Sequence, residues 1–255
     1  LPTHAGHPPT MIRFTPGSPE PGQAPPDWQG QLAQLAEHAQ HPALQAFYQA
    51  GCPAADCALD DAPLIALDIE TTGLNTRHDA IVSLGMVPFS LERIRCRDAL
   101  YQVVKPTSEL SDESITFHRI THSDIHQAPR VASVIETVLE ALAGKLVVVH
   151  YQAIERGFLD QACRQVLGEG LQFPVIDTME LEARLHRGDS EPNVFQRMFG
   201  KRKQSIRLAD SRLRYNLPLY QAHHALTDAI ATAELLQAQA LTHYSPQVAI
   251  SRLWS

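Results

Sequence analysis

Asp68 and Glu70 stand one residue apart at the end of the apolar run Leu64-Ile65-Ala66-Leu67. The run reads as a strand buried on both faces, and side chains alternate along a strand, so both carboxylates project from one face a few Å apart. Like charges held that close repel unless a cation lies between them, which gives the pair the chemistry of a hard divalent-metal site. The carboxyl end of a strand is also where open sheets usually carry their sites. Thr71-Thr72-Gly73-Leu74 follows at once as a turn. Taken alone, Asp-x-Glu before a Gly turn equally describes a solvated acidic strand end.

Two downstream blocks add acids and histidines. In Ala222-His223-His224-Ala225-Leu226-Thr227-Asp228-Ala229, which runs into a helical stretch, His224 shares a helix face with Asp228, whereas His223 falls in the loop before the helix. In Val147-Val148-Val149-His150-Tyr151-Gln152-Ala153-Ile154-Glu155-Arg156-Gly157-Phe158-Leu159, an apolar strand leads into a helix that carries Glu155 in its first turn. Asp160 is the rival acid there, but at about 500° further round the helix it points elsewhere.

These three blocks resemble the motifs of the DnaQ-like, DEDDh-type 3′-5′ exonucleases of the ribonuclease H-like superfamily. The family's D-x-E-T-T-G-L is matched by Asp68 to Leu74, its H-x-A-L-x-D-A by His223 to Ala229, and its H-N-x-x-F-D-x-x-F-L by His150 to Leu159. The middle block departs at two places, with Glu155 in the Asp slot and Tyr151 in the Asn slot. Phe117-His118-Arg119-Ile120-Thr121 with Ala128-Pro129 resembles the family's I-H-G-I-T…A-P segment, and Pro174 to Thr178 its V-x-D-T strand end, where Asp177 reads as the cap of the next helix. The resemblance spans about residues 62 to 241.

It implies that Asp68, Glu70, Glu155 and Asp228 hold two divalent cations, Mg²⁺ or Mn²⁺. In such sites the ions lie about 3.5–4 Å apart, one activating water and the other stabilising the leaving oxygen. The family pattern makes His223 the general base, with His224 the weaker candidate, and an imidazole titrating near neutrality suits that task. Thr71, Thr72, Gly73 and Leu74 would pack on the terminal nucleotide. The expected activity is release of nucleoside 5′-monophosphates from the 3′ end of nucleic acid, with single-stranded DNA favoured and RNA possible. A catalytically weakened nucleic-acid-binding module and a proofreading subunit acting with a DNA polymerase are the rival readings. A repair partner is a further expectation.

Composition agrees with this reading. The chain has 255 residues, 44% of them apolar and 6% aromatic, which suits a globular α/β protein. No run of about 18 apolar residues and no signal-peptide pattern occurs, so neither a membrane span nor export is expected. The cysteines at 52, 57, 96 and 163 show neither zinc-site pairs nor a disulfide framework, and a reduced, cytoplasmic protein is expected. The formal net charge is −7. Arg197, Lys201, Arg202, Lys203, Arg207, Arg212 and Arg214 nevertheless cluster ahead of His223, where they could steer a phosphate backbone.

Organisation follows from local signals. Residues 1–27, rich in proline with Gly, Ser and Thr, read as a disordered arm, and residues 28–60 as a helical extension of two short helices broken near Pro42. Residues 61–243 read as the exonuclease domain and 244–255 as a C-terminal tail. Strands near 64–69, 80–90 and 98–104 precede a strand and helix alternation: helix 131–143, strand 146–149, helix 153–167, strand 174–177, then helices 178–187, 205–214 and 225–241. That order predicts an α/β fold, a mixed sheet flanked by helices. The stretch from 187 to 205 reads as a flexible loop near the site.

Overall fold

The computed structural model describes residues 25–107, 120–186 and 205–255. Residues 1–24 of the expected arm over 1–27, residues 187–204 of the expected loop over 187–205, the Phe117-His118-Arg119 segment and the basic residues Arg197, Lys201, Arg202 and Lys203 lie outside the described residues.

One five-stranded sheet forms the centre, in the order β3-β2-β1-β4-β5, with β1 Leu64–Thr71, β2 Ile81–Phe89, β3 Leu100–Val103, β4 Leu146–Val149 and β5 Val175–Asp177. β1, β2 and β3 run antiparallel as a meander, whereas β4 and β5 run parallel to β1. Parallel pairs need crossovers, and α4 Ile135–Leu142 and α5 Gln152–Leu167 supply helices to them. The preceding helices are α1 Trp28–His38, α2 Pro42–Gln49 and the short α3 His122–His126, and those that follow are α6 Thr178–His186, α7 Leu208–Arg214 and α8 Ala225–His243. This is the mixed, helix-flanked sheet that the element order predicts. Strand 146–149 falls where the sequence puts it, and the other elements agree within a few residues.

Leu64, Ile65, Ala66 and Leu67 are all buried, as a strand covered on both faces requires. Against the sheet lies α8, whose buried Ala225, Ala229, Ala231, Ala233 and Ala240 let a helix backbone come close. The helix bears chiefly on β1 and β2.

Both ends of the described chain join the same apolar core: Trp28, Leu32, Phe47 and Tyr48 at one end, Ile250, Leu253 and Trp254 at the other. Tyr48 Oη donates to the Gly170 carbonyl at 3.1 Å, and Glu169 accepts from the Gln40 and His41 amides, which ties α1 and α2 to the loop after α5. At the other end Ser255 pairs with Val175 through both backbone groups and covers the free edge of β5. All four cysteines are free. No helix among the described residues is long and apolar enough to cross a membrane.

Candidate active site

The register of the meander arranges the first acids. Asp68 pairs with Gly85 and Glu70 with Ser83, so both acids share the face of the sheet to which Gly85 contributes no side chain. The pairing slips by one residue between Glu70 and Thr71, and such a bulge twists the strand end away from the sheet beside the acids. A Cβ built on Gly85 would lie 2.3 Å from the Ala225 carbonyl carbon and from the Leu226 amide. Only glycine admits the first turn of α8 at that distance, and this approach carries Asp228 to Asp68 and Glu70. Gly85 is thus a positioning residue that the sequence alone does not mark, because its role depends on strand register.

The helix start fixes the third block. His223 has φ +67°, a left-handed conformation uncommon outside glycine, and its amide donates to Asp228 Oδ2 at 2.8 Å. Glu70, His223 and Asp228 each offer a ligand atom within 4.8 Å of one another. His224 faces away. It is the N-cap of α8, with Nδ1 accepting from the Thr227 amide at 3.4 Å, and its ring stacks on Tyr101 at 4.5 Å between centroids. Of the two histidines, the geometry brings His223 to the acids and gives His224 a capping contact.

Glu155 comes from the other side. It lies in the first turn of α5, which begins just beyond the carboxyl end of β4, and only 2% of it is exposed. The start of α5 is held by Asp177, which accepts from the Tyr151 amide at 3.0 Å and the Gln152 amide at 2.9 Å. The same carboxylate accepts from the Met179 amide at 3.0 Å at the start of α6. Asp177 is therefore the expected cap of the following helix and, in addition, the cap of α5. Tyr151, in the family's Asn position, is forced to φ +94°, a conformation that Asn tolerates better than an aromatic residue. Asp160 plays no part here: it accepts from the Leu171 amide at 2.9 Å and from Arg164 at 2.8 Å.

Electrostatically the four carboxylates form one group. Burial, then Glu70 and Asp228, hold Asp68 well above the usual carboxylate range. Burial and Asp228 push Glu70 up to about 7. Glu155 is raised by burial and then chiefly by Asp68, and Asp228 by burial. Glu155 Oε2 is buried and has no hydrogen-bond partner among the described residues. Four carboxylates, their mutual repulsion and an orphaned buried carboxylate oxygen all fit hard divalent cations. At the mouth, the Thr71 to Leu74 turn is braced from within: Thr71 Oγ1 donates to the Gly73 carbonyl at 2.6 Å and Thr72 Oγ1 to Asp79 Oδ1 at 3.2 Å, leaving Leu74 57% exposed.

The basic cluster needs a correction. Arg212 is buried, donating to Glu234 at 2.7 Å and to the Ala231 carbonyl at 2.7 Å, and Arg214 is paired with Glu182. Both join α7 to its neighbours and are not free to meet a phosphate backbone. Arg207 alone among the described members is exposed.

A mixed sheet of order 3-2-1-4-5 flanked by helices is a ribonuclease H-like fold, here with acids from β1, α5 and α8. The sequence profile of the RNase T exonuclease family matches residues 65–236, and the chain belongs to that family, as an exonuclease domain of the DnaQ and RNase T type. Among curated relatives, the PolC-type DNA polymerase III of Bacillus subtilis is 30% identical over 184 residues, 72% of this chain and 12% of the polymerase. That of Oceanobacillus iheyensis is 29% identical over 182 residues, 71% of this chain and again 12% of the polymerase. The chain thus spans about an eighth of the length of these relatives. Among solved structures, the nuclease domain of 3′hExo, a DEDDh family member bound to rAMP, superposes with a TM-score of 0.58 at 16% identity, covering 74% of this chain and 96% of that one. Exonuclease X in complex with 5′-overhanging duplex DNA gives 0.53 at 22% identity, covering 74% and 98%.

Proposed function

We propose that this chain removes nucleotides one at a time from the 3′ end of nucleic acid, releasing nucleoside 5′-monophosphates. The observation that carries the reading is a set of four mutually repelling carboxylates, Asp68, Glu70, Glu155 and Asp228, with His223 beside Glu70 and Asp228. Those carboxylates would hold two cations, Mg²⁺ or Mn²⁺. Bound there, the ions would activate water and neutralise charge on the leaving 3′-oxygen. His223 would take the proton of the attacking water on an imidazole nitrogen, and its exposed position lets it pass that proton to solvent. Leu74, exposed beyond the braced turn, would pack against the terminal nucleotide together with the backbone of Thr71, Thr72 and Gly73.

Single-stranded DNA is the favoured substrate, with RNA the alternative. Both sugars occur among the structural neighbours, since one is bound to rAMP and another to a 5′-overhanging duplex DNA. A second reading is proofreading beside a DNA polymerase, favoured by the match to about 180 residues of the PolC-type polymerases. A weakened binding module is disfavoured, because Glu155 keeps two oxygens at the place where the family carries Asp.

The test is digestion of 5′-labelled single-stranded DNA and RNA of equal sequence with Mg²⁺, Mn²⁺ or EDTA, beside Asp68→Ala. A metal-dependent ladder shortening from the 3′ end, absent in the variant, is expected. Tight binding without cleavage would overturn the nuclease reading in favour of the binding module.

A further inference from the structure

β3 supplies no acid to the site, yet it touches a segment beside the site whose backbone is left-handed. Gly85 pairs with Asp68 on one side and with Tyr101 on the other, so Asp68, Gly85 and Tyr101 form one cross-strand row with side chains on a single face. The start of α8 crosses this row over Gly85. Beyond it the Tyr101 ring meets the His224 ring at 4.5 Å and 21° between planes, a stacked contact. His224's own hydrogen bonds do not fix its ring tightly, since both Nδ1 contacts, to the Thr227 amide and hydroxyl, are 3.4 Å long. Its neighbour His223 sits at φ +67°. A non-glycine residue in that region stores about 1 kcal/mol or more and keeps its conformation only where its surroundings over-determine it. On its own side His223 is held by its amide bond to Asp228. On the other side, the His224 carbonyl accepts from the Asp228 amide at 2.9 Å, and the stack on Tyr101 holds the His224 ring.

We propose that Tyr101 is a positioning residue for His223, acting through the ring of His224, and this rests on the reading of His223 as general base. The tyrosine need not meet substrate. It fixes the ring of the residue next to the base, and so steadies the turn that presents the imidazole of His223 to the acids.

The test is steady-state kinetics on 5′-labelled single-stranded DNA with Mg²⁺, with thermal unfolding as a check on folding. General-base catalysis contributes about 10²–10⁴-fold and a misplaced group forfeits part of it, so Tyr101→Ala should lower kcat about tenfold with KM within about twofold. Tyr101→Phe keeps the ring and should recover kcat. His224→Asn keeps a cap acceptor but loses the stack, and should match Tyr101→Ala. In a His223→Ala background, Tyr101→Ala should cause no further loss. An equal loss with and without His223, or a rise in KM alone, would make Tyr101 a substrate contact and overturn the proposal. Full activity of Tyr101→Ala beside an impaired His223→Ala also overturns it alone. Full activity of His223→Ala overturns the general-base reading first.

Discussion

Glu155 and Glu182 are both glutamates with no more than 2% of their surface exposed, and the protein treats them in opposite ways. Burial alone would raise Glu182, but Gln239, Arg214 and Tyr215 donate to its carboxylate and hold it below the ordinary range. Those donors come from α7, from the residue that follows it and from α8, so the acid on α6 clamps the helices together. Glu155 has only acids, Asp68, Asp177 and Glu70, among the charged groups that shift it, and burial first and then those acids drive its carboxyl up. An interior acid that the chain neutralises for itself is structural. One that it surrounds with further acids awaits charge from outside, and the chain has accepted a stability cost to keep it so.

The largest effect that separates the two regions is chemical. Asp68→Asn should reduce 3′-end cleavage by a factor on the order of 10³ or more, through loss of cation binding and charge stabilisation. The same variant should unfold at a higher temperature than the parent in EDTA, because one repelling charge has gone. A lower midpoint without metal would show that the acids are mutually stabilised after all. In the other region, Arg214→Ala should remove about 3 kcal/mol of stability by leaving Glu182 ionised and buried, as read from urea unfolding. A loss below about 1 kcal/mol would mean that Tyr215 and Gln239 suffice.

Protons sharpen the contrast further. Glu70 is raised to about 7 from its ordinary 4.5, so the metal-free folded state holds a proton that the unfolded chain has released. Stability in EDTA should therefore rise as pH falls from 8 towards 5.5, by about 1 kcal/mol per unit below pH 7, and Glu70→Gln should flatten this slope. With saturating Mg²⁺ the sign should reverse, since the cation binds the ionised acids and is lost as they protonate. Urea midpoints at pH 8 and 6 in the two conditions decide it, and a common direction in both would count against a metal site. Glu155→Asp is gentler. It restores the residue of the family pattern, so cleavage should stay within about tenfold of the parent or exceed it, whereas inactivity would mean that the site is built for the longer side chain.

What the sequence makes legible follows the range of each contact. The Asp68 to Leu74 and His223 to Ala229 blocks are local, and an apolar strand or a helix start announces the direction of each side chain. Nearly all the elements of the sheet and its helices are legible for the same reason. The partners of Arg212 and Arg214 lie 22 and 32 residues away, and without them a run of arginines resembles a phosphate track. Asp177 reads as the cap of the helix beside it, but its bond to the Tyr151 amide, 26 residues back, exists only because β4 and β5 lie side by side. Gly85 and Tyr101 are silent until strand register sets them in one row with Asp68.

Tyr151 separates sequence pattern from structural need most finely, and its expected effect is the smallest. Its φ of +94° and ψ of 72° are those of the αL side of the map, where an aromatic side chain is strained and asparagine is tolerated. The strain persists because the peptide amides of Tyr151 and Gln152 must both reach Asp177 to start α5, and that start delivers Glu155 to the acids. Tyr151→Asn relieves the backbone and leaves both amides in place. It should raise stability by up to about 1 kcal/mol, measured by urea unfolding, and leave the 3′-end ladder unchanged in register. Destabilisation would show instead that contacts of the half-buried ring outweigh the backbone strain, and that the departure from the family pattern is held in place by packing.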